Sequence, residues 1–238
     1  MRPALFVALL LPLAACSRAD AGAGAPATGS GPSRHYAVAD FTAVAATGSD
    51  DVDVRTGGGF SVRAEGDPAV LDHLRIRRDG DTLRIGRESG WHPTASGSAK
   101  VFVTMPRIAE ADVTGSGSIV VDKVAGGSFK GNTTGSGDLT IHGLTVDKLA
   151  LSIAGSGDMA LTGRARSLDV AIAGSGSIDG AGLVAGSGNV NIAGSGGVRA
   201  RVEGSANVAM MGSGDVDLGG RARCTISKMG SGTVTCGG

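Results

Sequence analysis

Residues 149–178, LALSIAGSGDMALTGRARSLDVAIAGSGSI, contain two copies of one pattern. In each copy, apolar residues alternate with small or polar ones, pass a Gly-Ser-Gly tripeptide and then alternate again. Alternation with a period of two is typical of a β-strand with one buried face, whereas a helix would need a spacing near 3.6. The stretch therefore predicts, in each copy, two strands joined by a sharp corner.

The same tripeptide recurs through the second half of the chain at an interval of about 20 residues, which is typical of repeat architectures. Its copies begin at Gly115, Gly135, Gly155, Gly174, Gly186, Gly194, Gly212 and Gly230. The steps of 12 and 8 residues on either side of Gly186 add up to one further period of 20. A second glycine lies roughly half a period away, at Gly143, Gly163, Gly204 and Gly219.

Each repeat is too short to bury its apolar face alone, since it holds strands of only about four to six residues, so it must stack on its neighbours. The pattern predicts an all-β fold, a single-stranded β-solenoid with rungs of about 20 residues and an irregular N-terminal cap. We expect it to span residues 35–238 and to be right-handed, as the commoner β-helices are.

Glycine suits the corners because a sharp bend needs positive φ and because a side chain would clash with the rungs above and below. Glycine-rich loops also cradle phosphate, but those loops need a following Lys-Ser or a helix start, which this sequence lacks. We therefore interpret the glycines as structural. The predicted corner residues are Gly115, Gly117, Gly135, Gly137, Gly155, Gly157, Gly174, Gly176, Gly194, Gly196, Gly212, Gly214, Gly230 and Gly232.

The repeats TGSGDLTIHG (134–143) and IAGSGDMALTG (153–163) resemble the putative auto-transporter adhesin head GIN domain, the DUF2807 family. The upstream segments YAVADFTAVAATGSDDVDVRTG (36–57) and DGDTLRIG (79–86) resemble the opening of that domain, so the resemblance runs from Tyr36 to the C-terminus. The resemblance implies that the protein is an adhesin, and the family offers no catalytic motif that could be assigned to residues of this chain.

The N-terminus is typical of a bacterial lipoprotein signal, with a basic Arg2, an apolar segment over residues 4–13 and a lipobox ending at Cys16. We expect cleavage to remove residues 1–15 and to leave Cys16 as the lipidated residue that attaches the protein to a membrane; the alternative is an ordinary signal peptide with an accidental cysteine. Residues 16–34 would form the anchor and a flexible linker. Ser17, where an aspartate would signal inner-membrane retention, favours the outer membrane, on the cell surface or the periplasmic face.

Residues 36–107 are less regular and are predicted to provide the first rungs and the cap. Residues 52–66, VDVRTGGGFSVRAEG, and residues 72–86, DHLRIRRDGDTLRIG, each predict a hairpin, the second with a tight Asp79-Gly80 turn. Asp67-Pro68 predicts the start of a short helix, with an N-cap followed by a first-turn proline.

Several residues are candidates for a site. Trp91 and His92 lie in a loop-like segment beside Arg87 and Glu88, and they would either line a ligand pocket or fold over the open side of the solenoid. Cys224 and Cys236 flank the last corner and predict a disulfide in an oxidising compartment. We predict no cofactor, no metal and no catalytic residue, apart from the calcium site considered next.

A column of mostly polar residues follows the tripeptides. If the rungs stack in register, Asp138 and Asp158 would be neighbours whose repulsion a calcium ion could relieve. The alternative is that each side chain in this column satisfies backbone groups of its corner. The column is Ser118, Asp138, Asp158, Ser177, Asn189, Gly197, Asp215 and Thr233.

Composition gives no electrostatic partner, because 22 basic and 22 acidic residues leave a formal net charge of zero, and nucleic acid is therefore not expected. We interpret the chain as a non-catalytic cell-envelope lipoprotein that binds an unknown protein or glycan, with a periplasm-facing scaffold as the alternative. A β-helix enzyme acting on polysaccharide is the rival from another class, for which the Asp122-Lys123 and Asp147-Lys148 pairs are candidates.

Overall fold

A computed structural model describes residues 24–88, 90 and 97–237. Strands make up 70% of this part of the chain and helix only 2%, and the strands are coiled into a solenoid of about six turns. The first half contains β1 (Ala27–Thr28), β2 (Ser33–Tyr36), β3 (Ala43–Gly48), β4 (Asp51–Thr56), β5 (Ser61–Glu65), α1 (Pro68–Leu71), β6 (Leu74–Asp79), β7 (Thr82–Arg87), β8 (Lys100–Met105), β9 (Glu110–Gly115) and β10 (Ser118–Val121). The second half contains β11 (Val124–Gly135), β12 (Asp138–Gly155), β13 (Met159–Gly174), β14 (Ser177–Gly194), β15 (Gly197–Val202), β16 (Ser205–Gly212), β17 (Asp215–Leu218), β18 (Arg223–Met229) and β19 (Thr233–Cys236).

The all-β solenoid predicted from the repeat is confirmed, and its rungs pair in parallel. β12 and β13 align Ile153 with Ile172, and β13 and β14 align Ile172 with Ile192. These inward side chains are buried and stack into columns along the solenoid axis. Because each fully buried aliphatic side chain stabilises by about 1.5–3 kcal/mol, a rung gains most of its stability from its two neighbours.

The expected strand length of four to six residues is wrong for the middle rungs. β12 and β14 each run for 18 residues, because the strand continues past the middle of the repeat, where the pairing only shifts its register, between Ile141 and Leu144 in β12 and between Gly180 and Val184 in β14. In these rungs only the Gly-Ser-Gly corner ends the strand.

Every corner brings two backbones into close contact. Gly155 has φ +133°, and its carbonyl oxygen accepts N–H groups from Ser175 at 2.9 Å and Gly176 at 3.2 Å in the next rung. A Cβ placed on Gly135 would lie 2.6 Å from the carbonyl oxygen of Gly115. The Gly-Ser-Gly sequence is therefore required by a left-handed backbone and by the absence of space for a side chain.

The copy that begins at Gly186 is not a corner. It lies inside β14, where Ser187 pairs with Ser167 of the straight part of β13. Its φ is not in the left-handed region, unlike that of Gly174 and Gly194 on either side. The true corners at Gly174 and Gly194 are therefore 20 residues apart, and the extra copy at Gly186 divides that interval into steps of 12 and 8.

The N-terminal cap contains two of the predicted local elements. β6 and β7 form an antiparallel hairpin closed by the pair Asp79 and Thr82, with Gly80 at φ +59°, and the predicted turn is confirmed. The short helix α1 is also confirmed, since the side chain of Asp67 accepts the N–H of Ala69 at 2.8 Å.

The hairpin predicted over residues 52–66 is wrong. β4 and β5 do not pair with each other, because β8 lies between them, parallel to β4 and antiparallel to β5. The connection after β4 passes over the end of β8, where the N–H of Gly57 donates to Met105 at 3.0 Å and to Pro106 at 3.2 Å. Because β8 lies between β4 and β5, its side chains Val101 and Val103 are buried in the core.

The segment before Tyr36 is already part of the cap, although the sequence places residues up to 34 in the linker. β1 pairs with β2, β2 pairs with β5, and the N–H of Ala25 donates to Ile76 at 2.6 Å. The segment supplies hydrogen-bond partners to strand edges that would otherwise be unpaired. Among the described residues, no helix is long and apolar enough to cross a membrane.

The corner geometry leads to a stability prediction. Gly155→Val is expected to lower the free energy of unfolding by about 3–5 kcal/mol, because it adds left-handed strain and a clash with Gly135. Gly127→Val is the matched control, since a Cβ there meets nothing within 4 Å, and it should change stability by only about 0.5 kcal/mol. Urea and thermal unfolding measure both, and equal losses would contradict the stacked-corner description.

Candidate interaction surfaces

The aspartates that follow the corners bind backbone of the next rung. Asp138 accepts the N–H of Asp158 at 3.0 Å, and Asp158 in turn accepts the N–H of Ser177 at 2.7 Å. Asp215 accepts the N–H of Thr233 at 3.2 Å in the last rung. Each carboxylate thus satisfies a backbone donor where the ladder of strand hydrogen bonds is interrupted. In the part of the chain that the structure describes, no group of three or more His, Cys, Asp or Glu residues could hold a metal ion.

Asn189 does not belong to this column. It lies on β14 opposite Asp169 of β13, on the strand that precedes a corner rather than the one that follows it. Its sequence assignment was wrong because the Gly186 tripeptide is not a corner.

The C-terminal end of the solenoid has its own closure. Cys224 and Cys236 are joined in a disulfide with their Cα atoms 6.2 Å apart, and the bridge links β18 to β19 across the last corner. Lys228 takes the place that Met210 holds in the preceding rung, and its Nζ donates to the carbonyl of Gly232 at 2.6 Å. Ile226 is 47% exposed, because among the described strands none pairs with β18 on the side away from β16.

Trp91 and His92 lie outside the described residues, as does Cys16. Their neighbours Arg87 and Glu88, which the sequence placed beside them, belong to two different ion pairs. Arg87 binds the buried Asp50 through Nε at 2.9 Å and Nη2 at 2.5 Å, and this hydrogen bonding raises the pKa of the Arg87 guanidinium. The pKa of Glu88 is lowered mainly by its hydrogen bond with His73 and next by its hydrogen bond with Arg75.

An apolar stripe runs along the outward side of the strands that precede the corners. The residue just before each corner is in register from rung to rung, and it changes from threonine to alanine and then to methionine along the axis. Met211 is 61% exposed and Met229 is 69% exposed. We call the last five positions of this column the methionine stripe: Ala154, Ala173, Ala193, Met211 and Met229.

The sequence prediction missed this stripe. Its signal was present, because the residue before successive Gly-Ser-Gly corners reads Thr, Thr, Ala, Ala, Ala, Met and Met from residue 114 to residue 229. The pattern becomes visible only when the copies are aligned and the Gly186 tripeptide is left out.

The opposite side of the corner carries a polar depression. Gly197 has no side chain, and the gap of about 460 Å³ above it is bordered by Asp179, Arg199, Asp215 and Asp217. The carboxylates already accept backbone N–H groups, Asp179 from Ala181 at 3.1 Å and Asp217 from Gly219 at 3.2 Å. These bonds tie the polar groups to the local backbone, as at the corners.

The fold and its corner repeats define a β-solenoid of the kind found in adhesin-like proteins. The family model described as "Putative auto-transporter adhesin, head GIN domain" matches residues 40–222. The chain belongs to this family. A search of curated proteins gave no match.

Solved structures share the fold at low sequence identity. A putative adhesin from Bacteroides fragilis has a TM-score of 0.81 and 21% identity, over 85% of this chain and 95% of that one. A putative adhesin from Parabacteroides merdae has a TM-score of 0.69 and 20% identity, over 85% and 94%. A protein described as a putative lipid binding protein from Parabacteroides distasonis has a TM-score of 0.67 and 22% identity, over 86% and 96%. These likenesses establish the fold.

The disulfide leads to a local prediction. Replacing Cys224 and Cys236 by serine should destabilise the last rung by about 3 kcal/mol, because the bridge closes a loop between residues 12 apart. Since a solenoid rung contacts only its neighbours, amide hydrogen exchange should accelerate in β18 and β19 and stay unchanged in β12. Chemical reduction of the wild-type chain should reproduce the pattern. Uniform acceleration throughout the solenoid would contradict the local role of the bridge.

Proposed function

We propose that this protein is a non-catalytic, lipid-anchored module of the cell envelope that adheres to a protein partner through the methionine stripe. Membership of the adhesin family supports an adhesive role. The exposed side chains of Met211 and Met229 carry the proposal, because exposed apolar patches on soluble proteins mark interaction surfaces.

The chemistry of the stripe favours a protein partner over a glycan. Methionine is flexible and polarizable and adapts to irregular apolar surfaces. Sugar sites commonly use aromatic faces, but Tyr36, Phe41 and Phe129 are buried in the core. Phe102 lies against the guanidinium of Arg63, 4.5 Å from the ring centroid. The five residues of the methionine stripe are alanines and methionines, so the stripe offers no aromatic face to a sugar.

The positions of the acidic residues support a role without catalysis. Asp122, a candidate for a polysaccharide-acting site, accepts the N–H of Thr56 at 3.0 Å. Asp147, the other candidate, pairs with Arg166 at 3.1 Å on an exposed surface. Both carboxylates therefore have local structural partners, rather than converging in a groove as hydrolysis of a glycosidic bond requires.

Attachment through Cys16 would hold the solenoid at the membrane by burying acyl methylenes, each worth about 0.8 kcal/mol. Adhesion requires that the solenoid lie on the cell surface, and we therefore propose that it faces outward rather than into the periplasm. A rigid solenoid then presents the stripe as one flat surface.

The location is tested by protease digestion of cells that carry the full chain. We expect the solenoid to be cleaved or shed from intact cells to the same extent as from cells with a permeabilised outer membrane. A periplasmic protein of the same cells is the control and should be digested only after permeabilisation. Protection of the solenoid until permeabilisation would overturn the adhesin proposal and favour the periplasm-facing scaffold.

The stripe is tested by the double variant Met211→Lys with Met229→Lys. We expect at least a tenfold loss of adherence of cells to protein-coated surfaces, because two charges would have to be buried at the contact. A tenfold loss of affinity corresponds to about 1.4 kcal/mol of binding free energy. The matched control is Thr114→Lys with Thr134→Lys, which places the same charges in the same column at the other end of the solenoid. Equal adherence of the two variants, at equal surface amounts and melting temperatures, would exclude the stripe as the adhesive surface.

A further inference from the structure

The methionines of the described residues divide into two groups by exposure. Met105, Met159 and Met210 are buried, each with no more than 3% of its surface exposed. Met211 and Met229 point outward, and more than half of each side chain is exposed. Because oxidation of a side-chain sulfur depends on access for the oxidant, the two groups should differ strongly in their rate of oxidation.

The two exposed methionines are neighbours on the surface. Met211 of β16 is the register partner of Met229 of β18, and paired strands lie about 4.8 Å apart. Outward side chains at such positions lie side by side, so the two thioethers form one continuous apolar surface. A chemical change at both sulfur atoms would therefore act on a single patch, at the end of the methionine stripe.

The neighbouring Met210 shows how the fold protects a sulfur atom. Met210 points into the core, and a Cβ placed on Gly232 would lie 2.5 Å from its Sδ, so the last corner covers this sulfur. The disulfide between Cys224 and Cys236 links the two strands on either side of that corner. Both cysteines are thus already oxidised and do not compete for an oxidant as thiols. The accessible reduced sulfur of the described residues therefore lies in the methionine stripe.

Oxidation would change the stripe from apolar to polar while the fold stays the same. The sulfur lone pair attacks one oxygen of hydrogen peroxide, so that an S–O bond forms and the O–O bond breaks. The sulfur loses two electrons, the peroxide is reduced, and a proton moves to the departing hydroxide to give methionine sulfoxide and water. The sulfoxide is polar, so burying it against an apolar partner is unfavourable. Both side chains point outward, and the corner contacts and the core are therefore unaffected.

We propose that Met211 and Met229 form a reversible modification site, at which oxidation by peroxide to methionine sulfoxide switches off adhesion through the stripe. This inference rests on the proposed function, because it describes the regulation of that same surface. Methionine sulfoxide reductases reverse the change with a dithiol, which is oxidised to a disulfide while the oxygen leaves as water. A bound partner would shield both sulfur atoms, so the switch acts on protein that has not yet made contact.

The modification is tested on cells that carry the full chain. The cells are exposed to dilute hydrogen peroxide, catalase removes the excess, and mass spectrometry of the recovered protein measures the gain of oxygen at each methionine. We expect Met211 and Met229 to be oxidised at least about tenfold faster than Met159 and Met210. The melting temperature of the oxidised protein should equal that of the untreated protein.

The switch is tested by the adherence of the same cells to protein-coated surfaces. We expect oxidation to lower adherence at least about tenfold, and methionine sulfoxide reductases A and B, which each reduce one epimer, to restore it. Unoxidised cells given the same reductases and dithiol are the control. The matched variant is Met211→Leu with Met229→Leu, which keeps the surface apolar but removes both sulfur atoms. It should adhere like the wild-type chain and retain its adherence after peroxide.

Equal rates of oxidation at exposed and buried methionines would overturn the modification site. Loss of adherence by the leucine variant after peroxide would place the sensitive group elsewhere and would also overturn it. Selective oxidation with full adherence, where Met211→Lys with Met229→Lys abolishes adherence, would refute the switch and leave the proposed function standing. Normal adherence of the lysine variant would instead refute the proposed function, so the two failures are distinguishable.

Discussion

Close contact between the backbones of successive corners is the constraint on which the rest of the structure depends. The carbonyl oxygen of each corner glycine accepts hydrogen bonds from the next rung, and the approach leaves no space for a Cβ. This contact fixes the register of every strand that follows, so that Leu151, Val170 and Val190 fall into one buried column. A register error of one residue would turn each of these side chains towards water.

A stack with such strong contacts along its axis has its weak points at its ends. At the first corner, Asp50 occupies the position of the third residue of the tripeptide and is buried with Arg87. A side chain fits there because β8 and the cap hairpin, rather than another glycine corner, lie beyond it. At the other end, no rung within residues 97–237 covers the last one, and a disulfide and Lys228 stabilise it. Both ends therefore replace the missing rung with a covalent or ionic contact.

The sequence predicted what depends on short-range chemistry and on the period. Glycine spacing gave the solenoid, Asp79-Gly80 gave the hairpin, and Asp67-Pro68 gave the helix, because each of these features is set by backbone conformation within a few residues. The insertion of β8 between β4 and β5 was not predictable in this way. It depends on which strand lies beside Val54 in the sheet. The alternation of apolar and polar residues in β4 would be the same whether its partner were β5 or β8.

The candidate surfaces escaped prediction for a related reason. Outward residues have no effect on the corner contact, so the column that begins with Thr114 can change to alanine and to methionine without any change in the fold. Likewise, Arg77 and Arg84 each lie two residues from the pair that closes the hairpin turn, and their opposition follows only from the hairpin register. Inward positions repeat because stacking demands it, while departures from the repeat on outward positions have no structural cause. For a solenoid of this kind, those departures are where binding surfaces should be sought.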